Sequence, residues 1–131
     1  MRLLLDSHVL LWTFDESRRL SSTARREIER PSNTVYVSAA SVWELAIKLA
    51  SGKLRIRNLT DVGELEQRSL ESGFMELPVT MRHAAAVADL GLVHADPFDR
   101  LLVAQARVEG LTVVTTDIRF SEYPVPILAA N

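Results

Sequence analysis

The chain has 131 residues, 47% hydrophobic and 24% charged, with no cysteine and a net charge of −2. This composition is typical of one globular domain and excludes a disordered chain. The absence of cysteine excludes a disulfide framework and a thiolate metal site. Because the net charge is slightly negative, any polyanionic partner must be held by a local basic patch or by cations. No segment approaches the roughly 20 uninterrupted apolar residues that span a membrane, and the start is too short for a secretory signal, so we expect a cytoplasmic protein without membrane contact.

Short apolar runs alternate with helical segments along the whole chain. In chain order we predict a strand over 2–6, helices over 7–14 and 21–30, a strand over 35–37, helices over 39–50 and 61–72, a strand over 74–77, helices over 80–90 and 97–109, and strands over 111–115 and 126–129. This alternation predicts βαβ units. We therefore expect one α/β domain over residues 1–131, with a central, mostly parallel sheet covered by helices on both faces.

Carboxylates follow two of the predicted strands and begin the last long helix. Asp6 ends the first strand and Asp117 follows the fourth, while Asp96 and Asp99 lie at the start of the helix before that fourth strand. Because ligand sites of parallel sheets lie beyond the carboxyl ends of the strands, we expect these residues to converge there. We expect fewer basic residues than carboxylates at this edge of the sheet. Like charges in such a cluster destabilise the fold unless a divalent cation joins them.

Each carboxylate also has a simpler interpretation. Asp6 caps the helix that follows it, Asp99 complements a helix dipole for under about 1 kcal/mol, and Asp117 is a turn residue. Glu44 lies on a narrow polar side of its helix, where it either forms a solvated pair with Lys48 or lines a cleft. The residues alone leave both interpretations of each carboxylate open.

Other motifs for catalysis are weak or missing. The histidines are too scattered for a local zinc motif, although His8, in the first turn after Asp6, is the best cleft candidate among them. His83 lies in a predicted helix and is interpreted as a packing or surface residue. No serine-centred elbow, phosphate-binding glycine loop or dinucleotide fingerprint occurs.

Four segments, taken together, have a familiar pattern. They are LLDSHVLLW over 4–12, SAASVWELAIK over 38–48, DPFDRLLVAQA over 96–106 and VVTTD over 113–117. In this order, and across nearly the whole chain, they resemble the PIN domain family, and in detail the toxins of bacterial VapBC-type toxin–antitoxin pairs. The resemblance implies an endoribonuclease that depends on Mg²⁺ or Mn²⁺, and it implies an RNA substrate, a VapB-type antitoxin as partner and a homodimer.

The resemblance also implies a set of site residues. The catalytic acidic quartet is Asp6, Glu44, Asp99 and Asp117. Asp6 and Asp99 are the expected direct metal ligands, Glu44 and Asp117 act directly or through water, and Asp96 is an auxiliary. Hydrogen bonds that orient this quartet are expected from Ser7, Thr115 and Thr116. Contacts to the RNA backbone are expected from Lys48, Lys53, Arg55, Arg57 and Arg100.

The antitoxin is expected to place apolar anchors near Trp12, Phe14 and Trp43, with the alternative that these aromatic residues belong to the core. Three other functions are considered. A haloacid dehalogenase expects an aspartate where His8 stands, and a receiver domain expects a lysine after its final strands, which is missing here. A PIN-like fold that serves only as a protein-interaction module is the third.

Overall fold

The computed structural model describes residues 1–15, 17–55, 59, 61–91 and 93–131. Its strands form one five-stranded sheet in the order β3-β2-β1-β4-β5, and every pairing between them is parallel. The strands are β1 (Arg2–Leu5), β2 (Thr34–Ser38), β3 (Met75–Leu77), β4 (Thr112–Thr115) and β5 (Ile127–Ala129). The predicted α/β class with a parallel central sheet is therefore confirmed.

In the described residues, six α-helices lie between the strands. They are α1 (Ser7–Phe14), α2 (Ser22–Glu29), α3 (Ala39–Ala50), α4 (Val62–Glu71), α5 (Met81–Ala86) and α6 (Pro97–Glu109), with 3₁₀ turns at Val87–Asp89 and Ile118–Glu122. In the part of the chain that the structure describes, no helix is long and apolar enough to cross a membrane.

The predicted helix over 80–90 is too long. Regular α-helix ends at Ala86 and continues as the 3₁₀ turn Val87–Asp89. The Arg100 guanidinium donates to the carbonyls of Val87 and Leu90, at 3.4 Å each. These hydrogen bonds satisfy carbonyl groups that, in a longer helix, would accept from backbone N–H groups of the next turn.

Alternate residues of the central strand face two separate cores. Leu3 and Leu5 pack with the cluster beneath α1, α2, α3 and α4, whereas Leu4 packs with the cluster beneath α6. All three leucine side chains are fully buried. A strand buried on both faces is uniformly apolar, which explains the run of leucines.

The path of the chain brings the start of α6 to the carboxyl edge of the sheet. Gly110 caps α6 in the left-handed conformation (φ 71°), and the N–H of Leu111 donates to the carbonyl of Ala106 at 2.9 Å. This reversal makes α6 antiparallel to β4. The N-terminus of α6 therefore lies at the same edge as the ends of β1 and β4.

Candidate metal centre

Asp6 is buried at the end of β1 and serves as the N-cap of α1. Its Oδ1 accepts a hydrogen bond of 2.8 Å from the N–H of Val9, and its Oδ2 accepts one of 2.5 Å from Thr115 Oγ1. Burial raises the pKa of this carboxyl, opposed by the hydrogen bonds from Thr115 and Val9 and by the charge of His8, and the Glu44 charge raises it further. The interpretation of Asp6 as a helix cap is thus correct. A helix cap need not be buried near a second carboxylate, so capping alone does not explain the position of Asp6.

Thr115, the last residue of β4, connects two of the carboxylates. Its hydroxyl donates to Asp6 and accepts a 3.0 Å hydrogen bond from the backbone N–H of Asp117. The hydroxyl therefore fixes the orientation of the Asp6 carboxylate and the position of the Asp117 backbone at once. Ser7 is buried in the first turn of α1, and Thr116 is half-buried between Thr115 and Asp117.

Glu44 lies on α3 and is only 6% exposed, so its interpretation as a solvated residue is wrong. Its Oε2 accepts a 2.6 Å bond from Lys48 Nζ, one helical turn away. The Glu44 charge contributes to the raised pKa of both Asp6 and Asp99, as expected for carboxylates at the same edge of the sheet. The polar side of α3 faces the carboxyl edge because the helix packs against α1 and α6.

Asp96 and Asp99 have different functions at the start of α6. Asp96 Oδ1 accepts from the N–H groups of Phe98 and Asp99, at 2.9 and 3.1 Å, and is the helix cap. Burial, followed by the charge of Asp96, raises the pKa of Asp99 from its ordinary value near 3.8 to about 6. With Asp96 as the cap, the Asp99 carboxylate remains available to a ligand.

Asp117 is paired with a basic residue, Arg119, as Glu44 is with Lys48. The guanidinium donates from Nη2 at 2.7 Å and from Nε at 3.1 Å, and these bonds hold the pKa of Asp117 below its ordinary value. Two carboxylates of the predicted cluster have basic partners, Lys48 for Glu44 and Arg119 for Asp117, which are fewer than the carboxylates, as expected. Among the described residues, Asp6 and Asp99 are the members of the quartet for which no ion pair with a lysine or arginine is found.

His94 is a site residue that our interpretation of the sequence missed. Its Nε2 lies 3.2 Å from Asp99 Oδ2, and its Nδ1 lies 2.8 Å from Tyr123 Oη. Among the described residues, His94, Asp99 and Asp117 form a group whose possible ligand atoms all lie within 4.8 Å of one another. The favoured histidine, His8, is exposed on α1, although its charge acts on Asp6.

Comparison with known proteins decides the family. The sequence profile of the PIN domain family matches residues 3–126. This chain belongs to the PIN domain family. The PIN domain is also 34% identical, over 127 residues and 95% of both chains, to the protein named Ribonuclease VapC22 of Mycobacterium tuberculosis. Membership excludes the haloacid dehalogenase and receiver alternatives.

Solved structures show the same PIN fold at low sequence identity. A chain of VapBC2 from Rickettsia felis, crystallised with a DNA fragment from its promoter, superposes with a TM-score of 0.72 at 16% identity, covering 100% of both chains. A chain of FitAB bound to a DNA fragment gives a TM-score of 0.69 at 21% identity, covering 98% of this chain and 94% of that one. A chain of DNA-bound VapBC from Salmonella typhimurium gives 0.67 at 15% identity, covering 100% of this chain and 99% of that one.

The basic residues predicted to contact RNA occupy different environments in this PIN domain. Lys48 is paired with Glu44, whereas Lys53 and Arg55 are exposed beyond the end of α3. The Arg100 guanidinium donates to the carbonyl of Gly91 at 2.8 Å as well as to the 3₁₀ turn, so it anchors the segment before α6. Arg57 lies outside the described residues.

The donor set of the PIN domain fits a divalent cation. Hard cations prefer carboxylate oxygens. Asp6 is buried and Asp99 is half-buried, and in the described residues the closest basic group to Asp99 is His94, at 3.2 Å. The lysine and arginine partners of Glu44 and Asp117 lie closer, at 2.6 and 2.7 Å. Burial is the largest cause of the raised pKa of both the Asp6 and the Asp99 carboxyl, so each carries its negative charge at a desolvation cost. A bound cation would relieve that charge, which agrees with the metal dependence of the family.

The raised pKa of Asp99 predicts how the stability of the metal-free protein depends on pH. The folded-state pKa of about 6 exceeds the ordinary value of 3.8, so the folded state binds more protons between these values, and the free energy of unfolding falls as pH rises through this window. We expect Asp99→Asn to reduce this fall by on the order of 1–3 kcal/mol. Urea unfolding of metal-free wild type and variant at several pH values measures the effect. Identical pH profiles would contradict it.

Asp117 serves as an internal comparison for that experiment. Its pKa is lowered, so the stability that it contributes is present above about pH 4 and is lost only at lower pH. Asp117→Asn should therefore leave the pH dependence of the free energy of unfolding unchanged between about pH 4 and about pH 6, and should change it below that range.

Proposed function

We propose that this PIN domain is an endoribonuclease that hydrolyses RNA phosphodiester bonds with Mg²⁺ or Mn²⁺, and that it is the toxin of a type II toxin–antitoxin pair. The observation that carries the proposal is the position of Asp6, Glu44, Asp99 and Asp117 around one edge of the sheet, with the pKa values of Asp6 and Asp99 raised. The name of the M. tuberculosis relative, Ribonuclease VapC22, supports RNA as the substrate. RNA as substrate also favours the cytoplasm as the site of action.

We assign separate functions to the residues of this site. Asp6 and Asp99 would hold the cation directly, Glu44 and Asp117 would act directly or through water, and Asp96 would be an auxiliary. When bound, the cation supplies activation of the attacking water and stabilisation of the negative charge that develops on the scissile phosphate. Lys48 Nζ forms a 2.6 Å ion pair with Glu44 and so orients its carboxylate.

Thr115 is assigned the orientation of the site. The Thr115 hydroxyl donates to one oxygen of Asp6 and so holds the Asp6 side chain in a single rotamer. Lys53 and Arg55 are assigned to the RNA backbone, because both are exposed beyond the end of the helix that carries Glu44. The net charge of −2 makes such local contacts necessary.

Incubation of the purified protein with cellular RNA tests the proposed reaction. We expect discrete new RNA ends, identified by sequencing, in the presence of Mg²⁺ or Mn²⁺, their loss in EDTA and their return when metal is added back. Metal binding without any cleavage would instead favour a PIN-like protein-interaction module. Cleavage that persists in EDTA would contradict the metal-dependent mechanism.

A VapB-type antitoxin is the proposed inhibitory partner, supported by the VapBC complexes whose chains share this fold. Of the three aromatic residues considered as anchors, Phe14 is buried in the core and Trp12 packs against that core. Trp43 is 58% exposed on α3, one residue before Glu44, and its ring stacks edge-on against Phe98 with centroids 5.0 Å apart. Trp43 is therefore the proposed anchor for an apolar segment that also brings a basic side chain to the carboxylates.

Trp43→Ala is expected to weaken antitoxin binding by at least about 30-fold, because an aromatic anchor at the centre of an interface typically contributes about 2 kcal/mol or more. Co-purification from the native operon supplies the candidate antitoxin, and calorimetry of the separated proteins measures this loss. Met81→Ala is the control, since Met81 is 90% exposed on α5, which flanks the other face of the sheet. Equal affinities for the two variants would contradict the assignment of Trp43.

We also propose a homodimer. Sedimentation equilibrium of the protein without antitoxin tests this directly. A mass of one chain at micromolar concentration would contradict the proposal without affecting the assignment of the metal centre.

A further inference from the structure

The imidazole of His94 is positioned like a ligand although histidine is not part of the acidic quartet. Its side chain is only 6% exposed, and Nε2 faces Asp99 Oδ2 at 3.2 Å. The possible ligand atoms of His94, Asp99 and Asp117 lie within 4.8 Å of one another. A cation held by Asp99 could therefore also meet the His94 nitrogen without a large movement of the chain.

The other nitrogen of the ring is held by a buried tyrosine. Nδ1 lies 2.8 Å from Tyr123 Oη, and Tyr123 is only 4% exposed. Arg100 Nη1 approaches the same hydroxyl at 3.5 Å, and Phe120 meets the imidazole edge-on, with centroids 6.2 Å apart. Histidines that bind metals almost always form a hydrogen bond through the second nitrogen, which sets the tautomer and the orientation of the ring.

The tyrosine hydroxyl suits both tautomers of the ring. In one tautomer, Nε2–H donates to Asp99 and the hydroxyl of Tyr123 donates to Nδ1. With the proton on Nδ1, that nitrogen donates to Tyr123 Oη, and the lone pair of Nε2 becomes free for a metal. Both states retain the 2.8 Å contact, so metal binding replaces only the hydrogen bond between His94 and Asp99.

We propose that His94 is a nitrogen ligand of the metal centre and that Tyr123 is its positioning residue. The inference rests on the proposed metal-dependent function and adds to it a preference among cations. Imidazole binds Mn²⁺ more readily than Mg²⁺, which favours oxygen ligands. We expect His94→Gln to weaken Mn²⁺ binding by at least about tenfold, Tyr123→Phe by about tenfold, and either change to affect Mg²⁺ less.

Pulsed electron paramagnetic resonance of the Mn²⁺-loaded full chain tests the nitrogen ligand without an activity measurement. We expect wild type to show electron spin-echo modulation from a ¹⁴N nucleus bound to Mn²⁺, and the modulation to change when the histidines carry ¹⁵N. His94→Gln should abolish this signal. His8→Gln, in which an exposed histidine near Asp6 is replaced, should retain it.

The remaining histidine, His83, lies beside Glu109 at the opposite end of α6 from Asp99, which keeps the experiment decisive even if His94→Gln does not fold. His83 receives a 3.0 Å bond from the N–H of Thr80 at Nδ1 and lies 2.8 Å from Glu109 at Nε2. A ¹⁵N-histidine effect that survives in His8→Gln therefore comes from His94. Bound Mn²⁺ without any histidine modulation, or modulation that disappears in His8→Gln, overturns the proposal. Failure of Mn²⁺ to bind at all overturns the metal centre itself, and thus the proposed function.

Discussion

Asp99→Asn is expected to reduce RNA cleavage by at least about 100-fold, which corresponds to a loss of about 2.7 kcal/mol of transition-state stabilisation. The substitution keeps the size of the side chain and an oxygen that accepts from His94 Nε2, but it removes the negative charge that a hard cation requires. Asp96 still caps α6 through its bonds to residues 98 and 99. A helix-dipole partner alone would cost under about 1 kcal/mol of stability and no activity.

Asp89→Asn is the matched control for this loss. Asp89 is exposed in the 3₁₀ turn after α5 and lies beside Ala104 and Arg107, in the C-terminal half of α6. We expect it to cleave RNA at the wild-type rate. In metal-free buffer at neutral pH, Asp99→Asn should be at least as stable as wild type, because a carboxylate with a raised pKa is removed. Cleavage by Asp99→Asn at the wild-type rate would contradict the assignment of this residue.

Saturating divalent metal is expected to raise the thermal unfolding midpoint of wild type by about 10 °C. Metal at about 100 times its dissociation constant stabilises the folded state by about 2.7 kcal/mol, since the unfolded chain has no preformed site. For a domain of this size, each kcal/mol shifts the midpoint by about 4 °C. Melting curves in Mn²⁺, Mg²⁺ and EDTA measure the shift.

The same melting curves distinguish a specific site from general cation screening. Asp99→Asn should lose most of the shift, while Asp89→Asn should retain all of it. Screening of surface charge would instead stabilise all three proteins alike, and Ca²⁺ would act as well as Mn²⁺. Equal midpoints of wild type with and without millimolar metal would contradict the metal centre.

The parallel sheet was predictable because local signals agree with the tertiary structure at each element. The run Leu3-Leu4-Leu5 predicts a strand buried on both faces, and Asp96 and Gly110 mark the two ends of α6. Carboxylates that follow strands then necessarily meet at one edge. Helix bounds were less predictable where a side chain from elsewhere intervenes, as Arg100 does after α5.

The surroundings of the carboxylates depend on distant residues, and this part was not predictable from patterns. Glu44 is buried because α3 packs against both α1 and α6, whereas its own helix pattern also fits a solvated pair. His94 is held by Tyr123, 29 residues further along the chain, and no periodicity connects them. The pairing of Asp117 with Arg119, only two residues apart, was a local signal that could have been recognised.

Anomalous diffraction from crystals grown with Mn²⁺ is the most direct measurement of whether these carboxylates form a metal centre. The proposed function predicts an anomalous peak at the carboxyl edge of the sheet, bounded by the carboxylates of Asp6 and Asp99, and its absence from crystals of Asp99→Asn. A peak elsewhere on the molecule, or no peak in wild type at a Mn²⁺ concentration that supports RNA cleavage, would contradict it.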